Sequence, residues 1–297
     1  MGIDRVSFGT DRLKFYKSLK KWKLTDLILC VVLFLVNIPV YYQKPFQRQF
    51  FINDLTISHP FAEVEMVNNH ALIVYSYFVP FFTIILFSLL LADSKHRWYL
   101  MYISLLGLSF TWISTSLLTN YLKNWFGRHR PDFLARCVPK HGTPKNTLVY
   151  AIDVCTSTDY AVLYDGFRTT PSGHSSESFA GLGFLFLWLC GQLLTELPET
   201  GSWRTIVACL PLVGASVIAL SRTQDYRHHF VDVMLGSLLG ILVAHWSYRR
   251  YFPSIHSKLP FKPLLDDSDV VLEEYSQVRS AASDEELLPI SRSTNNN

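Results

Sequence analysis

Apolar residues along the chain fall into long runs free of charge, separated by short polar connectors. Residues 71–92, 98–122, 178–195, 205–221 and 233–248 contain no Asp, Glu, Lys or Arg. Leu24–Tyr42 contains Asp26 alone, near its start. A soluble helix carries a polar stripe that recurs at the helical period, and these runs have none. Crossing roughly 30 Å of hydrocarbon takes about 20 helical residues, and lipid forces backbone groups to pair within the segment. The pattern therefore predicts an all-α, polytopic membrane protein with six transmembrane helices. The fifth and sixth runs are shorter and more polar, and a buried helix or hairpin is the alternative for them.

The first 23 residues hold seven Lys and Arg and two Asp, with no apolar core ahead of Leu24. No cleavable signal is expected, so the first helix should act as an uncleaved anchor. Its basic flank predicts a cytoplasmic N-terminus. Six crossings return the C-terminus to that side and place the first, third and fifth connections on the other. From about Ser254 the chain changes character and collects Asp266, Asp267, Asp269, Glu273 and Glu274. The expected organisation is a membrane domain over residues 1–250 and an acidic, largely disordered cytoplasmic tail over 251–297.

Composition agrees. Charged residues are 17% of 297, against about 25% in soluble domains. That excludes a mainly disordered chain and a coiled coil, and a net charge of +3 is too mild to argue for nucleic acid. Cys30, Cys190 and Cys209 sit in apolar runs as packing residues. Cys137 and Cys155 share the third connection; in an oxidising lumen they could pair, which the sequence leaves open. Their spacing matches no zinc pattern.

Three polar segments at helix ends break the pattern: residues 123–131 (KNWFGRHRP), 168–177 (RTTPSGHSSE) and 221–232 (SRTQDYRHHFVD). All fall on one predicted side of the membrane. Charged groups near hydrocarbon are costly and usually functional. Lys123, Arg130 and Arg222, with Arg128, Arg168 and Arg227 nearby, suit an anion with several oxygens, because guanidinium matches phosphate bidentately. Ser172 and Gly173 open a helix whose free N–H groups favour an anion. His228 and Asp232 are four apart, which on a helix puts them on one face. Such a carboxylate would fix the imidazole tautomer and support His228 as a nucleophile towards phosphorus. His174 is then placed to protonate the leaving oxygen. The blander readings are a structural histidine, interfacial arginine anchors, or a His–Asp metal pair; the surplus of positive charge argues against the metal. Arg128, Arg168, Arg227, His129 and His229 are candidates for anchoring or support. Asp225 and Glu177 read as ion-pair or capping partners.

Together the three segments resemble the type 2 phosphatidic acid phosphatase family, the lipid phosphate phosphatases. Its signature is Lys-x6-Arg-Pro, then Pro-Ser-Gly-His, then Ser-Arg-x5-His-x3-Asp. Lys123, Arg130 and Pro131 match the first part, Pro171 to His174 the second, and Ser221, Arg222, His228 and Asp232 the third. The resemblance implies a haloperoxidase-like six-helix core with its active site formed by loops at one membrane face. It implies catalysis by His174, His228 and Asp232, phosphate binding by Lys123, Arg130, Ser172, Gly173 and Arg222, and a phosphohistidine formed without metal or other cofactor. The stretches GFRTTPSGHSSESFAGLG and SRTQDYRHHFVDVMLGSLLG are similar to the fungal members that act on diacylglycerol pyrophosphate. That implies membrane phospholipid substrates, diacylglycerol pyrophosphate and phosphatidate, and a vacuolar membrane with the site on its lumenal side. The rivals are a phosphatase for another lipid phosphate and a non-catalytic lipid phosphate receptor or transporter.

Overall fold

The computed structural model describes residues 14–270, which are helical with no strand among them; Phe50 with Val149 and Pro139 with Cys155 form isolated bridges. The long helices are α2 (Leu24–Tyr42), α5 (Arg97–Phe126), α9 (Gly173–Leu193), α10 (Trp203–Gln224) and α11 (Phe230–Tyr251). A further span, Asn69–Leu90, consists of α3 (Asn69–Ile73), a π-helical turn (Val74–Phe78) and α4 (Val79–Leu90). The short helix α1 (Tyr16–Lys21) precedes α2, and α6 (Phe133–Cys137), α7 (Ala151–Val154) and α8 (Tyr160–Asp165) lie in the connection between α5 and α9.

Five of these helices are long and apolar enough to cross a membrane: Leu24–Tyr42, Asn69–Leu90, Arg97–Phe126, Trp203–Gln224 and Phe230–Tyr251. The protein is therefore polytopic. The two runs expected to be weakest, now α10 and α11, both qualify. The fourth expected span, α9, is 21 residues long but falls short in apolarity, because His174, Ser175, Ser176, Glu177 and Ser178 fill its first two turns.

That polar start is sheltered by position. Helix α9 is packed by α10, α11 and α5, whereas α2 lies against α5 with only Cys30 buried. Without a hydrophobic driving force between helices in lipid, close approach depends on small residues and on hydroxyl hydrogen bonds. A Cβ on Gly236 or Gly240 of α11 would lie 2.5 Å from Ser172 O or 2.3 Å from Ser176 O. On Gly181 it would lie 1.7 Å from Ser76 O, inside the π turn. Thr119 bonds Ser176 at 2.8 Å, Thr111 donates to Ser247 at 2.7 Å, and Trp188 Nε1 donates to Ser104 at 2.8 Å. These contacts fix α9 axially and in rotation, and so fix what its first turn presents.

The connections after α2, α5 and α10 meet at one end of the bundle. There Phe50, Ile57, Phe133, Leu163 and Phe167 form a separate apolar cluster, and Cys137 and Cys155 are joined by a disulfide. At the opposite end, residues 252–270 fold back on the helices. Phe252 is fully buried, Gln192 donates to Phe261 O, and His96 pairs with Asp266 at 3.0 Å. The rest of the expected acidic tail, 271–297, lies outside the described residues.

Candidate active site

The first connected group of site residues lies where four helices end. Helix α5 ends at Phe126 with Lys123 in its last turn, α9 begins at Gly173, α10 ends just past Arg222, and α11 begins just after His228. Lys123, Arg130, Gly173, His174, Arg222 and His228 line one cavity of about 710 Å³. Residues up to 105 positions apart in the chain thus converge as the sequence predicts. Gly173 lies against Lys123, and a Cβ there would sit in ordinary contact with it, 3.6 Å from Nζ.

Two predicted residues lie behind the wall of the cavity. Ser172 is fully buried, and its hydroxyl caps α9 by accepting from Ser175 N and Ser175 Oγ. It holds the helix start in place rather than facing an anion. Asp232 is also fully buried and makes no hydrogen bond with the His228 ring. The i, i+4 reasoning fails locally because α11 starts at Phe230, so His228 precedes the N-cap, His229. Asp232 occupies the third helical position and accepts from His229 N at 2.9 Å, closing a capping box.

Asp232 reaches His228 through threonine. Its Oδ2 accepts from Thr169 Oγ1 at 2.8 Å, its Oδ1 accepts from Thr170 Oγ1, and Arg128 Nη1 donates to it at 3.1 Å. His228 Nδ1 lies 2.7 Å from Thr169 O and 3.2 Å from Thr169 Oγ1. A carbonyl only accepts, so Nδ1 carries the proton and Nε2 keeps its lone pair. Burial, with Lys123 and Arg130 nearby, pushes the His228 pKa well below 6.5, which keeps the ring neutral. His174 Nε2 donates to Val67 O at 2.9 Å, which leaves Nδ1 without a protein partner among the described residues.

The cations are set by carboxylates, of which the sequence flags only Asp225. Arg222 is 1% exposed and is gripped by Glu65 at 2.7 Å and Asp225 at 2.6 Å. Glu65 also pairs with Arg227 at 2.7 Å. Arg130 donates to Asp165 at 2.8 Å, and Asp165 bonds Arg136 at 2.9 Å. Burial works to raise the Asp165 pKa, but Arg130 and Arg136 outweigh it and hold the value at about 2. Asp225 is thus an ion-pair partner, as expected. Glu177 instead lines the cavity and, among the described residues, has no ion pair. His129 is a packing residue: it stacks edge-on with Phe50 and Phe133, and burial lowers its pKa to about 4. Arg128 and His229 hold Asp232. Glu65, Asp165 and Thr169 were not predicted. Glu65 and Thr169 lie in irregular connections and Asp165 ends the short helix α8, where no periodicity reveals a partner.

Among the described residues, no cluster of three or more His, Cys, Asp or Glu is arranged to hold a metal ion. The arrangement presents an imidazole lone pair, fixed donors for phosphoryl oxygens, and a second histidine. The sequence profile of the PAP2 superfamily matches residues 104–256. The chain is 62% identical over 271 residues to diacylglycerol pyrophosphate phosphatase 1 of Saccharomyces cerevisiae, covering 91% of this chain and 93% of that protein. It is 31% identical over 251 residues to lipid phosphate phosphatase 2 of Arabidopsis thaliana, covering 80% and 79%. It is 28% identical over 263 residues to lipid phosphate phosphatase 1 of Saccharomyces cerevisiae, covering 82% and 93%. No solved structure matches it.

Proposed function

The chain belongs to the PAP2 superfamily, and on that premise we propose that this lipid phosphatase removes the β-phosphate of diacylglycerol pyrophosphate and then dephosphorylates the resulting phosphatidate to diacylglycerol. The observation that carries the mechanism is the His228 hydrogen bond to Thr169 O, which aims a neutral Nε2 lone pair at a cavity lined by Lys123, Arg130 and Arg222.

His228 Nε2 attacks the terminal phosphorus. The P–N bond forms as the P–O bond to the leaving group breaks. Lys123, Arg130 and Arg222 hold the equatorial oxygens, where charge spreads in the transition state. The bound phosphate's negative charge favours a proton on His174 Nδ1 beside that on Nε2, and His174 then gives it to the leaving oxygen. With Nδ1 then a lone pair, His174 takes a proton from the water that attacks the phosphohistidine. Phosphate leaves and His228 is restored. Asp232, through Thr169, steadies the imidazolium character that His228 acquires. The cationic cradle supplies the charge stabilisation that a metal gives elsewhere, so the reaction needs none.

The disulfide lies at the same end as the cavity, and disulfides persist in oxidising compartments. Lys20, Lys21, Lys23, Arg97, Arg249 and Arg250 flank the other end. Both support a lumenal site with cytoplasmic termini, and the similarity to the fungal enzyme is consistent with a vacuolar membrane.

The test is phosphate release by the purified protein in EDTA from diacylglycerol pyrophosphate, phosphatidate, a sphingoid base phosphate and an isoprenoid diphosphate, with His228→Ala alongside. Diacylglycerol pyrophosphate should rank among the best substrates and His228→Ala should be inactive. Diacylglycerol pyrophosphate falling outside the best substrates, or activity restored only by a divalent ion, overturns the proposal.

A further inference from the structure

Six cations line the cavity, Lys44, Lys123, Arg130, Arg168, Arg222 and Arg227, against three carboxylates, Glu65, Asp165 and Glu177. They fall into two groups. Lys123, Arg130, Arg222 and Arg227 form the buried inner group, in which each of the three arginines is paired with a carboxylate. Arg168 and Lys44 lie towards the exposed edge and, among the described residues, neither has a carboxylate within ion-pair distance. Arg168 stands one residue before Thr169, and its own carbonyl accepts from Lys123 at 3.0 Å. Its backbone is therefore part of the catalytic wall. Its side chain reaches outward to the end of α2, where Nη2 donates to Tyr41 O at 2.8 Å and to Gln43 O. Nε is buried without an acceptor, and Nη1 has no partner among the described residues. Lys44 follows Gln43 directly and is engaged by the Tyr164 ring at 5.6 Å.

We propose that Arg168 and Lys44 form a second anion subsite, which grips the phosphate that stays on the lipid while His228 attacks the terminal one. This rests on the lipid-phosphatase reading and adds the reason for a diphosphate preference. A phosphate monoester carries about −1.5 to −2 at neutral pH. It is satisfied by the inner cations around His228, whereas a diphosphate brings one further charge and further acceptor oxygens. Tying the Arg168 fork to backbone carbonyls of α2 orders it before substrate arrives, so little side-chain freedom is lost on binding. The outer pair serves the diphosphate lipid and leaves phosphatidate hydrolysis to the inner cations.

The full chain in mixed detergent–lipid micelles serves as the assay, with kcat/KM measured on diacylglycerol pyrophosphate and on phosphatidate. Loss of a charge-assisted hydrogen bond is expected to lower the first constant roughly tenfold or more in Arg168→Gln and in Lys44→Glu, and Lys44→Glu should change the second little. Lys44→Glu decides by itself should Arg168→Gln fail to assemble, because Lys44 is exposed. As a probe free of lipid, inorganic pyrophosphate should inhibit phosphatidate hydrolysis at lower concentration than orthophosphate, and Lys44→Glu should narrow that gap. Equal losses on both lipids would make the pair an interfacial anchor and overturn the subsite, as would no loss on the diphosphate. A wild-type protein inactive on both lipids would instead overturn the lipid-phosphatase reading.

Discussion

Thr169 supplies two different groups to the site, and a substitution separates them. Its carbonyl accepts from His228 Nδ1 at 2.7 Å, while its hydroxyl donates to Asp232 Oδ2 at 2.8 Å and lies 3.2 Å from Nδ1. Thr169→Val keeps the carbonyl and the side-chain volume and removes only the hydroxyl link. The nucleophile therefore keeps its tautomer, but Asp232 loses its shortest route to the ring. A hydrogen bond to a charged group contributes about 1.5–3 kcal/mol. Asp232 Oδ2 retains His229 N at 2.9 Å, so the carboxylate is not orphaned. If the relay is felt in the transition state, kcat/KM should fall roughly 10- to 150-fold, at 1.36 kcal/mol per tenfold, without reaching the inactivity of His228→Ala. Thr169→Ser should recover most of the loss. The assay is phosphate release from diacylglycerol pyrophosphate, with the melting temperature followed in parallel to separate catalysis from folding. A wild-type rate in Thr169→Val would refute the relay, and so would a loss that Thr169→Ser does not restore.

Other outcomes follow from the same geometry. His174→Ala should lower kcat/KM on phosphatidate far more than on diacylglycerol pyrophosphate, because an alkoxide needs a proton whereas a phosphate with pKa near 6 leaves readily; equal losses would remove His174 as the acid. Because the His228 pKa is pushed well below 6.5 by burial, Lys123 and Arg130, the ring stays neutral as pH falls through that value. The pH profile of kcat/KM should therefore hold from neutrality to pH 6.5, and an acid limb at or above 6.5 would contradict the assignment. Replacing Cys137 and Cys155 by Ser opens the staple across the cap; removal of such a bond typically costs about 2–5 kcal/mol, and an unchanged melting temperature would deny it a stabilising role.

The sequence made the bundle legible because lipid excludes charge so strictly that spans appear as uncharged runs. It was less clear at α9, whose first turns serve the site at the expense of apolarity, and whose neighbours rather than lipid surround it. The three site segments were equally legible, since Lys123, Arg130, Gly173, His174, Arg222 and His228 do line one cavity. What the sequence could not reveal was contact. Whether Ser172 faces an anion or caps α9 depends on one side-chain rotation. Whether Asp232 bonds His228 depends on where α11 begins, and a start at Phe230 puts Thr169 between them. Glu65 lies 157 positions from Arg222, and no spacing rule connects them. Residues 252–270 read as the start of an acidic tail, yet Asp266 finds buried His96 across the far end of the bundle.

The central claim is that an imidazole brought to this cavity receives the phosphoryl group, and trapping that species tests it most directly. Wild-type protein mixed with diacylglycerol pyrophosphate labelled in its β-phosphate and quenched within milliseconds should carry acid-labile, base-stable label that peptide mapping places on His228, with none in His228→Ala. Label on another residue, or full turnover by His228→Ala, would contradict it.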